Sequence, residues 1–391
     1  MAGAVVGGSF LSAFLQVLFD RMASREFVDF FRGQKLSDVL LRRLKTTMRT
    51  INRLLDDEEE KQIINRDLQV WLDDLKDAVY EADDFLDEIA YEGLRSEIET
   101  CPQTNNIAMF RNVLPSCSPV NRRIMNMKVE LEKILDRLED LVEQKDVLGS
   151  DDVRDAKYDD WDILLKPLKF GAQGTGEFCN TLDDAKGLKL AKKTRHLSYV
   201  RAKHGNLKEF EGTYERKVLR TFLLMEQSRE LDQNENGAIH DLLPTLTRLR
   251  VLSLSQYSYL PDSIGNLKHL RYLNLFQASM KNLHTIIHAL YNLQTLILRE
   301  CKDLVELPNS IGNLKHLQHL DLSGTSIRKL PNCVIGLFNL ETLILRQCKD
   351  LTVLPTNMAS LMNLHHLDTR ETNLKEMPLQ MVNLKNLLDI Q

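Results

Sequence analysis

Leucine recurs in the second half of this chain on a beat of 21 to 24 residues, and that beat restricts the possible folds more than any other feature. The pattern is LxxLxL, at Leu249/Leu252/Leu254, Leu270/Leu273/Leu275, Leu293/Leu296/Leu298, Leu317/Leu320/Leu322 and Leu340/Leu343/Leu345. Leu364/Leu367 continues it with Thr369 in the last slot, and a further copy opens at Leu387. Weaker copies lie at Leu219/Phe222/Leu224 and around Leu197. The second half of the unit repeats as LPxxIxxL, at Leu260, Pro261, Ile264, Leu267 and again at Leu307, Pro308, Ile311, Leu314. A unit this short cannot bury its own leucines, but stacked units bury them in one continuous core.

The expected architecture over residues 195–391 is therefore an α/β leucine-rich-repeat solenoid. Each LxL is a short strand, and the rest of the unit returns along the convex side. Side chains alternate across a strand, so the leucines point inward and the residues between them line the concave face. That face is expected to show Val251, Ser253 and Ser255, then Tyr272, Asn274 and Phe276, then Thr295, Ile297 and Arg299. It continues with His319, Asp321 and Ser323, then Thr342, Ile344 and Arg346, then His366, Asp368 and Arg370. Phe276, Arg299, Arg346 and Arg370 fall on one column, and aromatic and arginine side chains are favoured at the centres of protein interfaces. A surface of this kind binds macromolecules and is not a catalytic pocket; no enzyme activity is expected. A last repeat ending at Gln391 without a polar cap would leave core leucines exposed.

Residues 1–145 read as all-α, a four-helix bundle. Residues 3–22 are apolar. Residues 36–62 show helical spacing through Val39/Leu40, Leu44, Met48, Ile51 and Leu54/Leu55, and residues 68–98 through Leu68, Trp71/Leu72, Leu75, Val79, Ala82, Phe85/Leu86 and Ile89. A polar loop at 100–119 precedes heptads at Ile124, Met127, Leu131, Ile134, Leu138 and Leu141. One face of the third helix is acidic: Asp73, Asp74, Asp77, Glu81, Asp84, Asp87 and Glu88. Like charges at this spacing weaken a helix modestly. Either the face is solvated or it docks a basic partner.

Charge follows the same division. Residues 1–150 hold 20 Lys+Arg against 28 Asp+Glu, a balance of −8, whereas residues 195–391 hold 23 against 19, a balance of +4. The net charge of −5 carries no nucleic-acid or membrane preference, and no nucleic-acid partner is expected. Six cysteines without a CxxC pair suggest neither a zinc site nor a dithiol centre, and fit a reducing compartment. Cys301 and Cys348 occupy turn positions two repeats apart, too far for a disulfide, where they are expected to bond to backbone. Residues 4–19 are apolar, but lack the basic lead of a secretory signal and are short for a membrane span. The expected location is cytoplasmic, with peripheral contact at the plasma membrane through residues 4–19 left open.

Several of these residues carry a family likeness. Residues 71–88, WLDDLKDAVYEADDFLDE, resemble the N-terminal coiled-coil domain of plant intracellular immune receptors, the coiled-coil, nucleotide-binding, leucine-rich-repeat disease-resistance proteins. Asp83, Asp84 and Asp87 fall in a stretch similar to the acidic motif of that domain. The opening VGGSFLSAFLQVLFDRMAS and the LPxxIxxL units are similar to the same family. The resemblance implies that the repeats sense a pathogen protein or a guarded host protein. It implies that the acidic motif contacts arginines of the repeat domain, for which Arg248, Arg250 and Arg271 are candidates. Full-length relatives are further possible partners.

Between the two ends the chain departs from the family. Residues 146–194 resemble a short remnant of the α/β nucleotide-binding module, with Asp151 and Asp152 similar to Walker B carboxylates, and two internal deletions are implied near Ser150 and Thr175. A phosphate-binding loop needs GxxxxGK[ST], and no Gly-Lys dipeptide occurs in the sequence. The family binds ADP or ATP; here no cofactor and no metal are expected. The reading is a truncated disease-resistance protein acting by protein–protein recognition. A general repeat scaffold without immune role is the alternative, and a nucleotide-dependent switch comes third.

Overall fold

The computed structural model describes residues 18, 21, 35–59, 66–99, 119–147, 179–183, 194–201, 218–226, 240–257, 260–281, 283, 285–376, 378, 387 and 389–390. The chain divides into two compact units, residues 1–170 and 171–391.

The first unit is helical. Leu18 and Arg21 are helical, and among the described residues three long helices follow: α1 (Lys35–Glu59), α2 (Arg66–Glu99) and α3 (Pro119–Val147). Their heptad leucines meet in one core. Leu40, Leu44, Met48 and Ile51 of α1 pack with Trp71, Leu75, Val79, Phe85, Leu86 and Ile89 of α2 and with Met127, Leu131, Leu135, Leu138 and Leu141 of α3. Val39 shares the helical spacing with Leu40 yet is exposed, because residues one apart on a helix point about 100° apart and Leu40 takes the inward direction. The helix is described to Glu59, and residues 60–62 of the expected span lie outside the described residues. Polar ties cross the bundle: Trp71 Nε1 donates to the Leu141 carbonyl at 2.7 Å, and Arg137 reaches Glu81 at 2.7 Å. Arg43 bridges to Glu139 at 2.6 Å and Asp136 at 2.9 Å. The Arg43 guanidinium holds the Glu139 carboxyl below its ordinary range.

The second unit is a solenoid. Among the described residues, ten parallel strands form one sheet in sequence order, from β1 (Cys179–Asp183), β2 (His196–Arg201) and β3 (Thr221–Glu226). They continue through β4 (Val251–Leu254), β5 (Tyr272–Asn274), β6 (Thr295–Ile297), β7 (His319–Asp321), β8 (Thr342–Ile344) and β9 (His366–Asp368) to β10 (Asp389–Ile390). The sheet begins at Cys179, inside the segment 146–194 read as a nucleotide-module remnant. There 179–183 pairs with β2 in the register of a repeat. Its leucine spacing is too degenerate to reveal it, with CNTLD standing where other units have LxL. Asp151 and Asp152 lie outside the described residues.

The convex side is built from short 3-10 turns that follow the Leu-Pro pairs. Pro261, Pro308 and Pro331 sit at φ of −73°, −67° and −68° with extended ψ, the conformation the proline ring enforces. The turns Asp262–Asn266, Asn309–Asn313 and Asn332–Gly336 then send Ile264, Ile311 and Val334 into the core. At Gly312 an added Cβ would come within 2.5 Å of the Cys333 carbonyl of the next unit, so the convex turns stack closely only because a glycine stands there.

The core leucines Leu252, Leu273, Leu296, Leu320, Leu343 and Leu367 are in direct register and fully buried. The slot three residues after the last core leucine holds Tyr257, Ala278, Cys301, Thr325, Cys348 and Thr372 in successive units. Cys301 Sγ donates to the Leu275 carbonyl at 3.1 Å and Cys348 Sγ to the Leu322 carbonyl at 3.0 Å. Both are free thiols. Burial pushes the Cys301 thiol up to about 12 and also raises that of Cys348. Only a thiolate alkylates readily. Both thiols are therefore expected to resist iodoacetamide in the folded protein at neutral pH and to react after denaturation, a contrast that peptide mass spectrometry reads directly.

Candidate protein-recognition face

The strand side chains alternate as the spacing requires. In β5, β6 and β8 the central leucine is buried and its two neighbours are half-buried on the opposite face. Three columns run along the concave face. The first holds Val251, Tyr272, Thr295, His319, Thr342 and His366; the second holds Ser253, Asn274, Ile297, Asp321, Ile344 and Asp368.

The third column follows from the main-chain bonds just past the strands. Gln256 N donates to the Phe276 carbonyl, Gln277 N to Arg299, Glu300 N to Ser323, Gly324 N to Arg346 and Gln347 N to Arg370, all at 2.7–2.9 Å. This ladder brings Phe276, Arg299, Arg346 and Arg370 onto one line, with Ser323 between the second and third. Arg299, Arg346 and Arg370 are exposed and Phe276 is half-buried. Arg346 reaches Glu371 at 3.1 Å. Arg370 makes a two-pronged bond to Asp368, at 2.9 and 2.5 Å, which lowers that carboxyl's pKa.

Sequence did not foresee how the column is held rigid. The residue after each column position is left-handed: Gln256, Gln277, Glu300, Gln347 and Glu371 have φ between 57° and 63°, and Gly324 has 69°. In alternate units a side chain braces the bend. Asn274 Oδ1 accepts from Phe276 N at 3.0 Å, Asp321 Oδ1 from Ser323 N at 2.8 Å, and Asp368 Oδ1 from Arg370 N at 3.1 Å. Asp321 thus turns its charge inward onto its own backbone. Ile297 and Ile344 take the equivalent places in the intervening units.

A second basic column lies at the start of the strands. The Arg195 carbonyl accepts from both Arg220 N and Thr221 N; Arg220, Arg250 and Arg271 each repeat this geometry toward the next unit. Four arginines therefore stack at about 4.8 Å per strand. Arg250 and Arg271 were expected near the solenoid start and stand in this column. Arg248 lies two residues before Arg250 and is not in it. Arg195 and Arg220 escaped the sequence reading, although an Arg directly before HLSYV, TFLLM, VLSLS and YLNLF is a legible signal.

His196 stands beside this column with Nδ1 2.9 Å from Thr221 Oγ1. Burial, then the charges of Arg195, Arg220 and Arg250, lower its pKa to about 4 from an ordinary 6.5. The unfolded chain therefore binds a proton between pH 6.5 and 4 that the folded chain refuses. Stability from this residue is complete above pH 6.5, falls as pH drops to about 4, and is level below. The loss amounts to about 3 kcal/mol over that window. Denaturant unfolding at pH 7.5 and pH 4.5 should show it as the difference between the parent protein and His196→Gln; equal pH sensitivity of the two would contradict it.

In the helical unit the acidic motif is partly engaged. Arg21 forms ion pairs with Asp83 and Asp87. Asp83, Asp84 and Asp87 are all buried. The motif is thus not a plain solvated face.

The fold and these surfaces define the class: a helical domain joined to a leucine-rich-repeat recognition domain. Comparison with known proteins is consistent with that division. The family described as the Rx N-terminal domain matches residues 10–113. The Zer-1-like leucine-rich repeats match residues 261–387. Among curated proteins, a putative disease resistance RPP13-like protein 1 of Arabidopsis thaliana is 44% identical over 145 residues, 37% of this chain and 14% of that protein. The disease resistance protein RGA2 of Solanum bulbocastanum is 43% identical over 83 residues, 19% of this chain and 8% of that protein. Among solved structures, the leucine-rich repeat domain of the type III effector XopL aligns with TM-score 0.42 and 19% identity, over 84% of this chain and 96% of that one. In these segments the chain is similar to plant disease-resistance proteins, and its alignments span a small part of the curated relatives' length. Among the described residues, no helix is long and apolar enough to cross a membrane.

Proposed function

We propose that this chain is a plant defence protein that works by binding another protein on the concave face of its repeats, while its helical domain signals or regulates. The observation that carries the reading is the third concave column. It presents Phe276, Arg299, Arg346 and Arg370 outward in register from a rigid parallel sheet. Planar guanidinium and aromatic groups at about 4.8 Å multiples suit a protein surface better than a small molecule. The ligand is a pathogen effector or a guarded host protein, and full-length relatives are further partners. A cytoplasmic location, with peripheral membrane contact through residues 4–19, belongs to the same reading.

The acidic motif and the arginine column carry opposite charge, and their pairing is part of the proposal. Asp84→Lys is expected to weaken it and Arg250→Glu to restore it when combined, as read by proteolytic protection of the full chain. The absence of a Gly-Lys dipeptide supports the further reading that truncation has removed the nucleotide switch. Calorimetric titration with ADP or ATP is then expected to give no binding heat, and micromolar affinity would overturn it. Expression in leaf tissue separates defence from general scaffolding. Cell death or altered resistance supports the first; partner capture with neither supports the second.

A further inference from the structure

The concave face contains an internal duplication. Residues 295–304, TLILRECKDL, and residues 342–351, TLILRQCKDL, differ at one position, Glu300 against Gln347. The strands that follow, β7 and β9, both read His-Leu-Asp. Strands β6 to β9 therefore present one two-strand module twice, about 9.6 Å apart at two strand spacings.

The two copies differ just past the strands. In the second, Glu371 closes the module like a rung. Arg346 Nε and Nη2 donate to Glu371 Oε1 at 3.2 and 3.1 Å, and Gln347 Nε2 donates to its Oε2 at 3.0 Å. Earlier in the array, Gln256 Nε2 donates to Gln277 Oε1 at 3.1 Å in the same manner. Gly324 stands 25 residues after Arg299, as Glu371 does after Arg346, and shares its left-handed backbone, with φ of 69° against 59°. The first copy therefore lacks the rung. A Cβ on Gly324 would come within 2.6 Å of Glu300 Oε1, so the Glu300 carboxylate reaches into the place where the rung would lie. Arg299 is exposed, and among the described residues its side chain forms no hydrogen bond or ion pair.

The neighbours define the missing group. Arg346 and Gln347 both donate, and the group between them is a carboxylate, with two acceptors. Arg299 donates but Glu300 accepts, so the complementary group carries one acceptor and one donor, as a carboxamide does. Charge agrees. The second copy balances Arg346, Lys349 and Arg370 against Asp350, Asp368 and Glu371. The first sets Arg299 and Lys302 against Glu300, Asp303 and Asp321, with Ser323 in the place of Arg370. An acid is already in excess there, and a further carboxylate is disfavoured.

With the concave face as the protein-binding surface, on which this inference rests, we propose that the gap at Gly324 receives a side-chain carboxamide, Gln or Asn, of the bound protein. Its carbonyl oxygen accepts from the Arg299 guanidinium, and its NH2 donates to the Glu300 carboxylate.

The test is selection of a random peptide library displayed on phage against the immobilised full chain, with circular dichroism to confirm that each variant folds. The parent is expected to enrich Gln or Asn over Glu or Asp at one position at least about tenfold, the scale of a hydrogen bond to a charged group. Glu300→Gln gives the first copy the two donors of the second, so its preference should turn to Glu or Asp. Gly324→Gln supplies the amide from within, at a backbone that Gln256, Gln277 and Gln347 already adopt, and should abolish the enrichment. Enriched peptides without an amide, or with Lys or Arg in its place, overturn the proposal, as does a Glu300→Gln preference equal to the parent's. If those peptides are still lost from Phe276→Ala/Arg299→Glu/Arg346→Glu, the failure falls on the carboxamide alone. Peptides retained by that variant, or none enriched by the parent, overturn the concave-face reading as well.

Discussion

Replacing Arg21 by Ala is expected to destabilise the helical unit by about 3 kcal/mol, the lower end of the cost of removing one partner from a buried ion pair. Arg21 neutralises two carboxylates at once. The side chains of Asp83 and Asp87 are each 2% exposed, whereas that of Arg21 is 24% exposed, so solvent recovers little on the acidic side. The loss comes from two buried carboxylates that give up the guanidinium they share. Removing all three charges should therefore cost less than removing Arg21 alone. Arg21→Met/Asp83→Asn/Asp87→Asn is expected to regain much of the deficit. The measurement is denaturant unfolding followed by Trp71 fluorescence in a Trp161→Phe background, since these are the two tryptophans of the chain. Trp71 is buried and bonded to α3, so it reports this unit. An Arg21→Ala midpoint equal to the parent's would show that the pair contributes nothing.

Leu320→Ala should cost the repeat unit about 2–5 kcal/mol, the range for opening a cavity at a fully buried leucine. Leu320 is 0% exposed and lies in β7 between Leu296 and Leu343. In a solenoid each unit touches only its neighbours, so a weak central unit uncouples the two sides. The loss should appear as a broadened transition with early proteolytic cleavage near β7. Unfolding of Leu320→Ala as one sharp transition with unchanged midpoint would contradict this account of the core.

The repeats were legible because leucine spacing, strand alternation and stacking are one constraint seen three times. Leu252 to Leu367 and the concave columns followed from spacing, and the bonds of Cys301 and Cys348 from the turn position that such repeats give to a Cys, Asn or Thr. Degenerate units were harder: CNTLD of β1 has one leucine, and its membership depends on pairing with β2, a non-local fact. The left-handed residues after the third column were not legible. Gln and Glu stand at five of the six such positions, and these residue types do not favour that backbone region; neighbouring strands impose it. In the helical unit, helical spacing predicted the core but not Arg21. An arginine at the end of an apolar segment reads as a surface residue until the fold brings Asp83 and Asp87 to it. Arg195 and Arg220 were overlooked for a different reason: the weak leucine pattern around them concealed their equivalence to Arg250 and Arg271.

The central claim is that the concave face binds a protein. The most direct measurement is affinity capture from infected and healthy leaf tissue with three forms of the full chain. These are the parent, Phe276→Ala/Arg299→Glu/Arg346→Glu on the concave column, and Met362→Glu/Val353→Glu as an exposed control away from it. The account predicts at least one protein captured by the parent and the control but lost from the concave variant, all three remaining folded. Identical capture by all three forms would contradict it.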